Sequence, residues 1–194
     1  MNEELLLSYG AIIKTLEKGE YLFYEGERAR NYFQIATGRL KMFNISGEGR
    51  EFTQGYFETG DSVGEPPLML HECYPASAAA THPTTVYKLG REHFRKLLKE
   101  HPQEQNALLV RLARRLYHKA TALRNLANNC PEERIVTFLD DYKKQAQQSS
   151  RIHIPYTRQE IANATGLRVE TVIRTLSALN QMKRVSIIDR KLYY

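Results

Sequence analysis

Residues 157–182, TRQEIANATGLRVETVIRTLSALNQM, constrain this chain more than any other stretch. They read as two helices joined at Gly166. Thr157 and Glu160, three apart, predict a capping box in which each side chain satisfies a backbone N–H left orphaned at a helix start, so the first helix begins at about Arg158. Ala162 is small where a second helix must cross closely, and Gly166 can take the positive φ of a tight inter-helix turn. Val172, Leu176 and Leu179 return an apolar stripe to the first helix. This is helix-turn-helix spacing.

Outside that stripe, Val169, Glu170, Ile173, Arg174 and Ser177 share one face of the second helix, because they recur at i, i+1, i+4, i+5 and i+8. Such a face suits a DNA major groove. Arg174 has the planar fork that matches guanine O6 and N7, Glu170 can accept from cytosine N4, and Val169 or Ile173 can meet a thymine methyl. The plainer reading is that Glu170 and Arg174 form an ordinary surface ion pair one turn apart, of about 0.3–0.5 kcal/mol.

On these residues the run TRQEIANATGLRVETVIRTLSAL resembles the helix-turn-helix of the cyclic AMP receptor protein and FNR family of bacterial transcription regulators. The resemblance implies that Glu170 and Arg174 read the core of each operator half-site. The cyclic AMP branch carries an Arg before that Glu, whereas this chain has Val169, as the FNR branch does.

Charge supports a phosphate-binding C-terminal half. The net charge is +6, but residues 1–100 hold 12 Lys/Arg against 14 Asp/Glu, whereas residues 101–194 hold 16 against 8. The basic half contains the helix-turn-helix. Arg158, Arg168 and Thr171, with Arg190 and Lys191 near a C-terminal turn, are the candidate phosphate contacts.

The two cysteines, Cys73 and Cys130, lie far apart with no C-x-x-C, so neither a disulfide framework nor a zinc site is expected. Four thiolates for an iron–sulfur cluster are not present, which sets the chain apart from the oxygen-sensing FNR type. His71 and Cys73 are two apart, and a carbon-monoxide-sensing relative ligates haem from this region. The other histidines are scattered, and no metal is expected. The N-terminal MNEELLLSYG lacks the basic flank and apolar length of a signal peptide, and no window reaches 18 apolar residues, so a cytoplasmic protein with no membrane association is expected.

Residues 2–9 suggest a short helix. From Ala11 to about Lys88 short β-rich runs (YLFY, NYFQIATG, RLKMFNIS, EFTQGYF, TTVYKL) alternate with turns, the pattern of a sandwich or barrel. The order FYEGE, YFQIATGRLKMF, GEGREF, GDSVGEPPLM resembles the jelly-roll effector domain of the same family, so the resemblance covers nearly the whole chain. It implies that GEPPLMLHECYPASA, residues 64–78, is the cassette for a nucleotide's ribose and phosphate, with Glu65 at the ribose position and Ser77-Ala78 at the family's Ser-Ala. The Arg that should precede Ser77 and pair with the cyclic phosphate is Ala76. A phosphate buried without a cation costs several kcal/mol, on the order of the penalty for any unpaired buried charge, which argues against cyclic AMP. At the two long-helix positions where the resemblance implies hydroxyl residues, this chain has Lys119 and Ala120. Glu65, Ser77 and Lys119 are therefore the candidate effector-pocket residues, with no cofactor assigned and the effector open.

REHFRKLLKEH is an amphipathic helix ended by Pro102, and residues 103–129 form a second helix of some seven turns. Leu109, Leu112, Leu116, Leu123 and Leu126 follow an a/d seam with Lys119 in one d slot, and LARRL matches the family's long dimerisation helix. A homodimer is expected; packing of the stripe on the chain's own barrel would use the same leucines. Residues 128–131, NNCP, form the expected hinge. PEERIVTFLDDYKKQ is a helix with acidic residues at its start and lysines at its end, residues 145–151 a polar loop, IHIPYT a short strand, and VSIIDRKLYY a hairpin completing a winged helix.

The fold class is α+β: an N-terminal jelly-roll β-barrel resembling a cyclic-nucleotide-binding domain (1–101), a long dimerisation helix (102–129) and a C-terminal winged helix-turn-helix (130–194). The expected function is that of a homodimeric regulator binding a pseudo-palindrome in double-stranded DNA, with RNA polymerase and a small-molecule effector as further partners. The alternative is a ligand-binding regulatory subunit whose C-terminal domain docks a protein. No G-x-S-x-G, P-loop or paired-carboxylate motif is present, so an enzyme is not expected.

Overall fold

A computed structural model describes residues 1–194 apart from 50, 127–129 and 147–149 and the side chains of 118, 121–126 and 145. The expected hinge residues Asn128 and Asn129, part of the expected polar loop, and the side chains of Leu123 and Leu126 thus lie outside the described residues. The chain divides into two compact units, Met1–Leu112 and Ala113–Tyr194.

The first unit opens with α1 (Glu3–Ser8), whose start is capped by the Asn2 side chain accepting from the Glu4 N–H at 3.0 Å. Eight strands follow, β1 (Ile12–Leu16), β2 (Tyr21–Phe23), β3 (Asn31–Thr37), β4 (Arg39–Ile45), β5 (Glu51–Glu58), β6 (Ser62–Val63), β7 (Ser77–Ala80) and β8 (Thr84–Gly90), with α2 (Glu65–Leu70) set between β6 and β7. They form two four-stranded antiparallel sheets, ordered β1-β8-β3-β6 and β2-β7-β4-β5. This is the expected jelly-roll layering, in which strands close in sequence alternate between sheets so that both inner faces bury one core. That core includes Leu16, Phe23, Tyr32, Phe33, Ile35, Leu40 and Val86.

The helix α3 (Arg91–Glu100) closes one side by burying Phe94, Leu97 and Leu98, and its Phe94 ring stacks on Tyr32 with centroids 4.2 Å apart. Pro102 occupies the first position of α4 (Pro102–Leu126), where its missing N–H leaves no bond unmade. Leu108 is buried in the barrel core and Leu112 packs against it. Compact packing therefore carries the first unit beyond the expected boundary at residue 101 and into the head of α4.

In the second unit, α5 (Pro131–Gln145), β9 (His153–Ile154), α6 (Arg158–Thr165), α7 (Val169–Gln181), β10 (Ser186–Ile188) and β11 (Lys191–Tyr193) enclose a separate core of Ile135, Leu139, Ile154, Ile161, Val172, Leu176, Leu179 and Leu192. The three strands form an antiparallel sheet ordered β10-β11-β9. Three helices against a small sheet give the expected winged helix. Among the described residues no helix is long and apolar enough to cross a membrane.

Candidate nucleic-acid interface and effector cassette

The start of α6 is fixed by the predicted capping box. Thr157 Oγ1 accepts from the Glu160 N–H at 3.1 Å, and Glu160 Oε2 accepts from the Thr157 N–H at 2.7 Å. The helix ends at Gly166, with φ of 66°, and the N–H groups of Gly166 and Leu167 both donate to the Ala162 carbonyl. Arg134 of α5 donates to the Thr165 carbonyl at 3.5 Å, tying a third helix to the same turn. No sequence signal marks Arg134 for this, because the contact is long-range. Val172, Leu176 and Leu179 are fully buried against α6, so the angle of α7 is set by core packing.

That packing leaves the opposite face of α7 in solvent. Glu170, Arg174 and Ser177 are exposed, and Ile173 is 53% exposed. Val169 differs from expectation: it is half-buried and packs on the domain core, so its reach toward a thymine methyl is reduced. Among the described residues Glu170 and Arg174 do not close the ion pair that their spacing allows, so both polar heads remain available to a ligand. Glu170 lies in the first turn of α7, where the helix dipole favours its charge.

Several cations of this domain fall into two groups by what they contact. Arg151 donates to Ser186 Oγ at 2.8 Å, Arg184 pairs with Glu132, and the Lys143 ammonium lies over the Tyr194 ring at 5.3 Å. These hold the domain together. Arg158, Arg168, Arg190 and Lys191 make no ion pair among the described residues. They are the cations named from sequence as phosphate contacts. Arg158 is half-buried, and burial lowers its pKa from the ordinary arginine value. Thr171 is half-buried beside Glu170, and Arg168 is the extended residue that caps α7. Arg190 stands with Asp189 in the two-residue turn between β10 and β11, at φ of 64° and 49°. Positive φ at both central positions is the type I′ hairpin geometry, whose twist matches the flanking strands.

The expected pocket residues of the effector cassette make contacts within the barrel. Glu65 begins α2 and is 1% exposed, with its Oε1 accepting from the Ser62 hydroxyl. Ser77 Oγ accepts from the Glu25 N–H at 3.0 Å. Both expected pocket residues in this unit therefore have protein partners. Ala76, at the position where the resemblance calls for an Arg, is 0% exposed. The Tyr74 ring stacks on Phe23 with centroids 3.7 Å apart, and a Cβ added to Gly64 would lie 2.9 Å from Tyr74. Backbone bonds from Gly26 N to the Tyr74 carbonyl and from Tyr74 N to the Glu27 carbonyl bind the cassette to the turn after β2. Lys119, the third expected pocket residue, is exposed and falls in the other compact unit. His71 Nδ1 faces the Arg91 guanidinium at 2.8 Å, and Cys73 is exposed.

On α4, Leu109 and Leu116 are 64% and 70% exposed, with Val110 and Tyr117 also exposed. Leu112 differs from the expected seam, since it packs on the barrel core.

Comparison with known proteins gives two family matches: a cyclic nucleotide-binding domain over residues 13–101 and a Crp-like helix-turn-helix domain over residues 133–193. The transcriptional activator protein anr of Pseudomonas aeruginosa is 29% identical over 177 residues, which is 89% of this chain and 72% of that protein. The nitrogen fixation regulation protein FixK of Rhizobium meliloti is 25% identical over 181 residues, 93% of this chain and 81% of that one. Among solved structures, FixK2 from Bradyrhizobium japonicum superposes with a TM-score of 0.79 at 24% identity, covering 94% of this chain and 91% of that chain. The c-di-GMP-responsive global regulator CLP of Xanthomonas campestris superposes with a TM-score of 0.82 at 21% identity, covering 97% and 95%. Both structural likenesses concern the fold.

Proposed function

The chain belongs to the Crp/Fnr family of transcription regulators, and from that membership we propose that it acts as a homodimer reading a pseudo-palindromic operator in double-stranded DNA. It is a regulator and not an enzyme. The observation that carries the DNA reading is the exposed face of α7, where Glu170 and Arg174 stand one turn apart with neither neutralising the other. Arg174 and Glu170 specify bases, with Ile173 and, more weakly, Val169 as apolar contacts. Arg158, Arg168, Thr171, Arg190 and Lys191 position the domain on phosphates. Two copies related by a two-fold axis place their recognition helices about one DNA turn, ~34 Å, apart. The exposed apolar residues Leu109 and Leu116 of α4 supply the dimer contact, in the cytoplasm where such a regulator meets its operator and RNA polymerase.

Cyclic AMP is not the effector under this reading. A cyclic phosphate placed beside Ala76 would lack the Arg that the family resemblance puts at that position, and the Phe23–Tyr74 stack fills space beside Gly64. Selection of binding sites from a random duplex library, with no ligand and at two salt concentrations, tests the proposal. A palindrome whose recovery falls with salt is expected. A salt-insensitive interaction with a protein, and no selected duplex with or without cell metabolites, would favour the alternative of a protein-docking subunit.

A further inference from the structure

The barrel contains a charge relay, buried at Ser62 and Glu65, that none of the DNA-binding residues requires. Ser62 is 0% exposed and sits in β6, three residues before Glu65. Its hydroxyl donates to Glu65 Oε1 and accepts from Arg111 Nη1 at 3.1 Å. One hydroxyl thus uses its donor and an acceptor in the order guanidinium, hydroxyl, carboxylate. Both hydrogen bonds involve a charged group, and such bonds are the stronger class. A carboxylate as buried as Glu65 is costly unless a cation and donors answer it, and Arg111 supplies the cation one hydroxyl away. Arg111 lies on α4 between Leu108, buried in the barrel core, and Leu112, which packs against it, so the relay and the apolar contact act on the same turns of helix.

We propose that Glu65, Ser62 and Arg111 form an internal latch that holds the head of α4 on the barrel without a ligand, using for the protein itself the carboxylate that the family resemblance would give to a ribose hydroxyl. The proposal rests on the reading of this barrel as an effector domain. Its consequence is a sign of coupling. A sugar or polyol hydroxyl reaching Glu65 would displace the Ser62 hydroxyl, break the link to Arg111 and loosen the helix head. Ligand entry at this carboxylate and docking of α4 are then antagonistic.

The test is a double-mutant cycle on the full-length protein, Ser62→Ala and Arg111→Gln singly and together, read by amide hydrogen exchange in α2 and in residues 104–112. Each single variant is expected to raise exchange in both segments by about tenfold, the loss of one charge-assisted hydrogen bond, and the double variant by no more than either single. Arg111→Lys, which keeps the cation, is expected to lie closer to the wild type than Arg111→Gln. Additive effects, or an Arg111→Gln effect confined to its own helical turn, would overturn the latch. Should Ser62→Ala not fold, equal losses in Arg111→Lys and Arg111→Gln would overturn it. Hydrogen exchange needs no DNA, so a protein that selects no operator would refute the proposed function while leaving this result readable.

Discussion

Leu112 packs against the barrel core, whereas Leu116, one turn further along the same stripe of α4, is 70% exposed. A heptad seam drawn from sequence makes these residues equivalent. Their surroundings separate them into one that fastens the helix to the barrel core and one that leaves its apolar surface exposed. Leu109, Val110, Leu116 and Tyr117 together expose more apolar surface on one helix than a scattered surface residue would.

Leu116→Glu should therefore disrupt the dimer without unfolding the chain, since the side chain leaves no core. Sedimentation should show a shift to monomer at concentrations where the wild type is dimeric, with circular dichroism unchanged. Leu112→Ala should lower stability by about 1–2 kcal/mol, because a partly buried leucine is removed from a packed core. The reverse pattern, monomer from Leu112→Ala alone, would move the interface to the other stripe.

Arg174→Ala should relax discrimination at one G·C pair of each half-site by about 1–3 kcal/mol, the value of a bidentate contact to guanine. Arg158→Ala should weaken all duplexes alike and reduce the slope of log affinity against log salt by about 1. Affinity for an operator and its single-base variants, titrated at several salt concentrations, separates the two. An unchanged base preference in Arg174→Ala would remove it from base reading.

The helix-turn-helix was legible because its signals are local. Thr157 and Glu160 cap one helix, Gly166 takes the left-handed turn, and the Val172, Leu176, Leu179 stripe has one burial solution. The cassette helix α2 was not legible. Pro66 and Pro67 read as turn residues, yet both sit in the first turn of a helix, where absent N–H donors are tolerated. The strand β7 is alanine-rich after its first residue and has little β-propensity of its own; its burial between β2 and β4 decides its conformation. The half-buried state of Val169 and the link from Arg111 to Ser62 depend on contacts distant in sequence, which periodicity cannot supply.

Tyr74 should mark the alkaline limit of the barrel. Burial, with the Glu27 carboxylate behind it, pushes its phenol up to about 12 from an ordinary value of 10.0. Above pH 10 the unfolded chain releases a proton that the folded chain keeps, so this contribution to stability is lost as pH rises from 10 to about 12. Tyr74→Phe keeps a ring against Phe23 and removes the ionisation. Its melting temperature should fall less steeply than that of the wild type across this window. Equal slopes would show that other groups govern the alkaline transition; Tyr87 of the same unit, raised by its hydrogen bond to the Glu3 carboxylate, is the first to test.

If the wing contacts DNA as proposed, affinity and stability are in opposition at one residue of its hairpin. Arg190 holds φ of 64°, a conformation that costs a residue with a Cβ about 1–2 kcal/mol, while its neighbour Asp189 belongs to the few types that tolerate it. A type I′ turn would prefer Gly at the Arg190 position, so stability alone does not account for arginine there. The proposed phosphate contact from the tip of the wing would account for it. Arg190→Gly should therefore raise the unfolding free energy by about 1 kcal/mol while weakening binding to every duplex by a similar factor. Arg190→Ala should lose the same affinity without gaining the stability, because its Cβ retains the strain. Denaturant unfolding and duplex titration on the two variants measure both terms. If Arg190→Gly bound DNA as tightly as the wild type, the wing would not touch the phosphates, and the strain at Arg190 would need another cause.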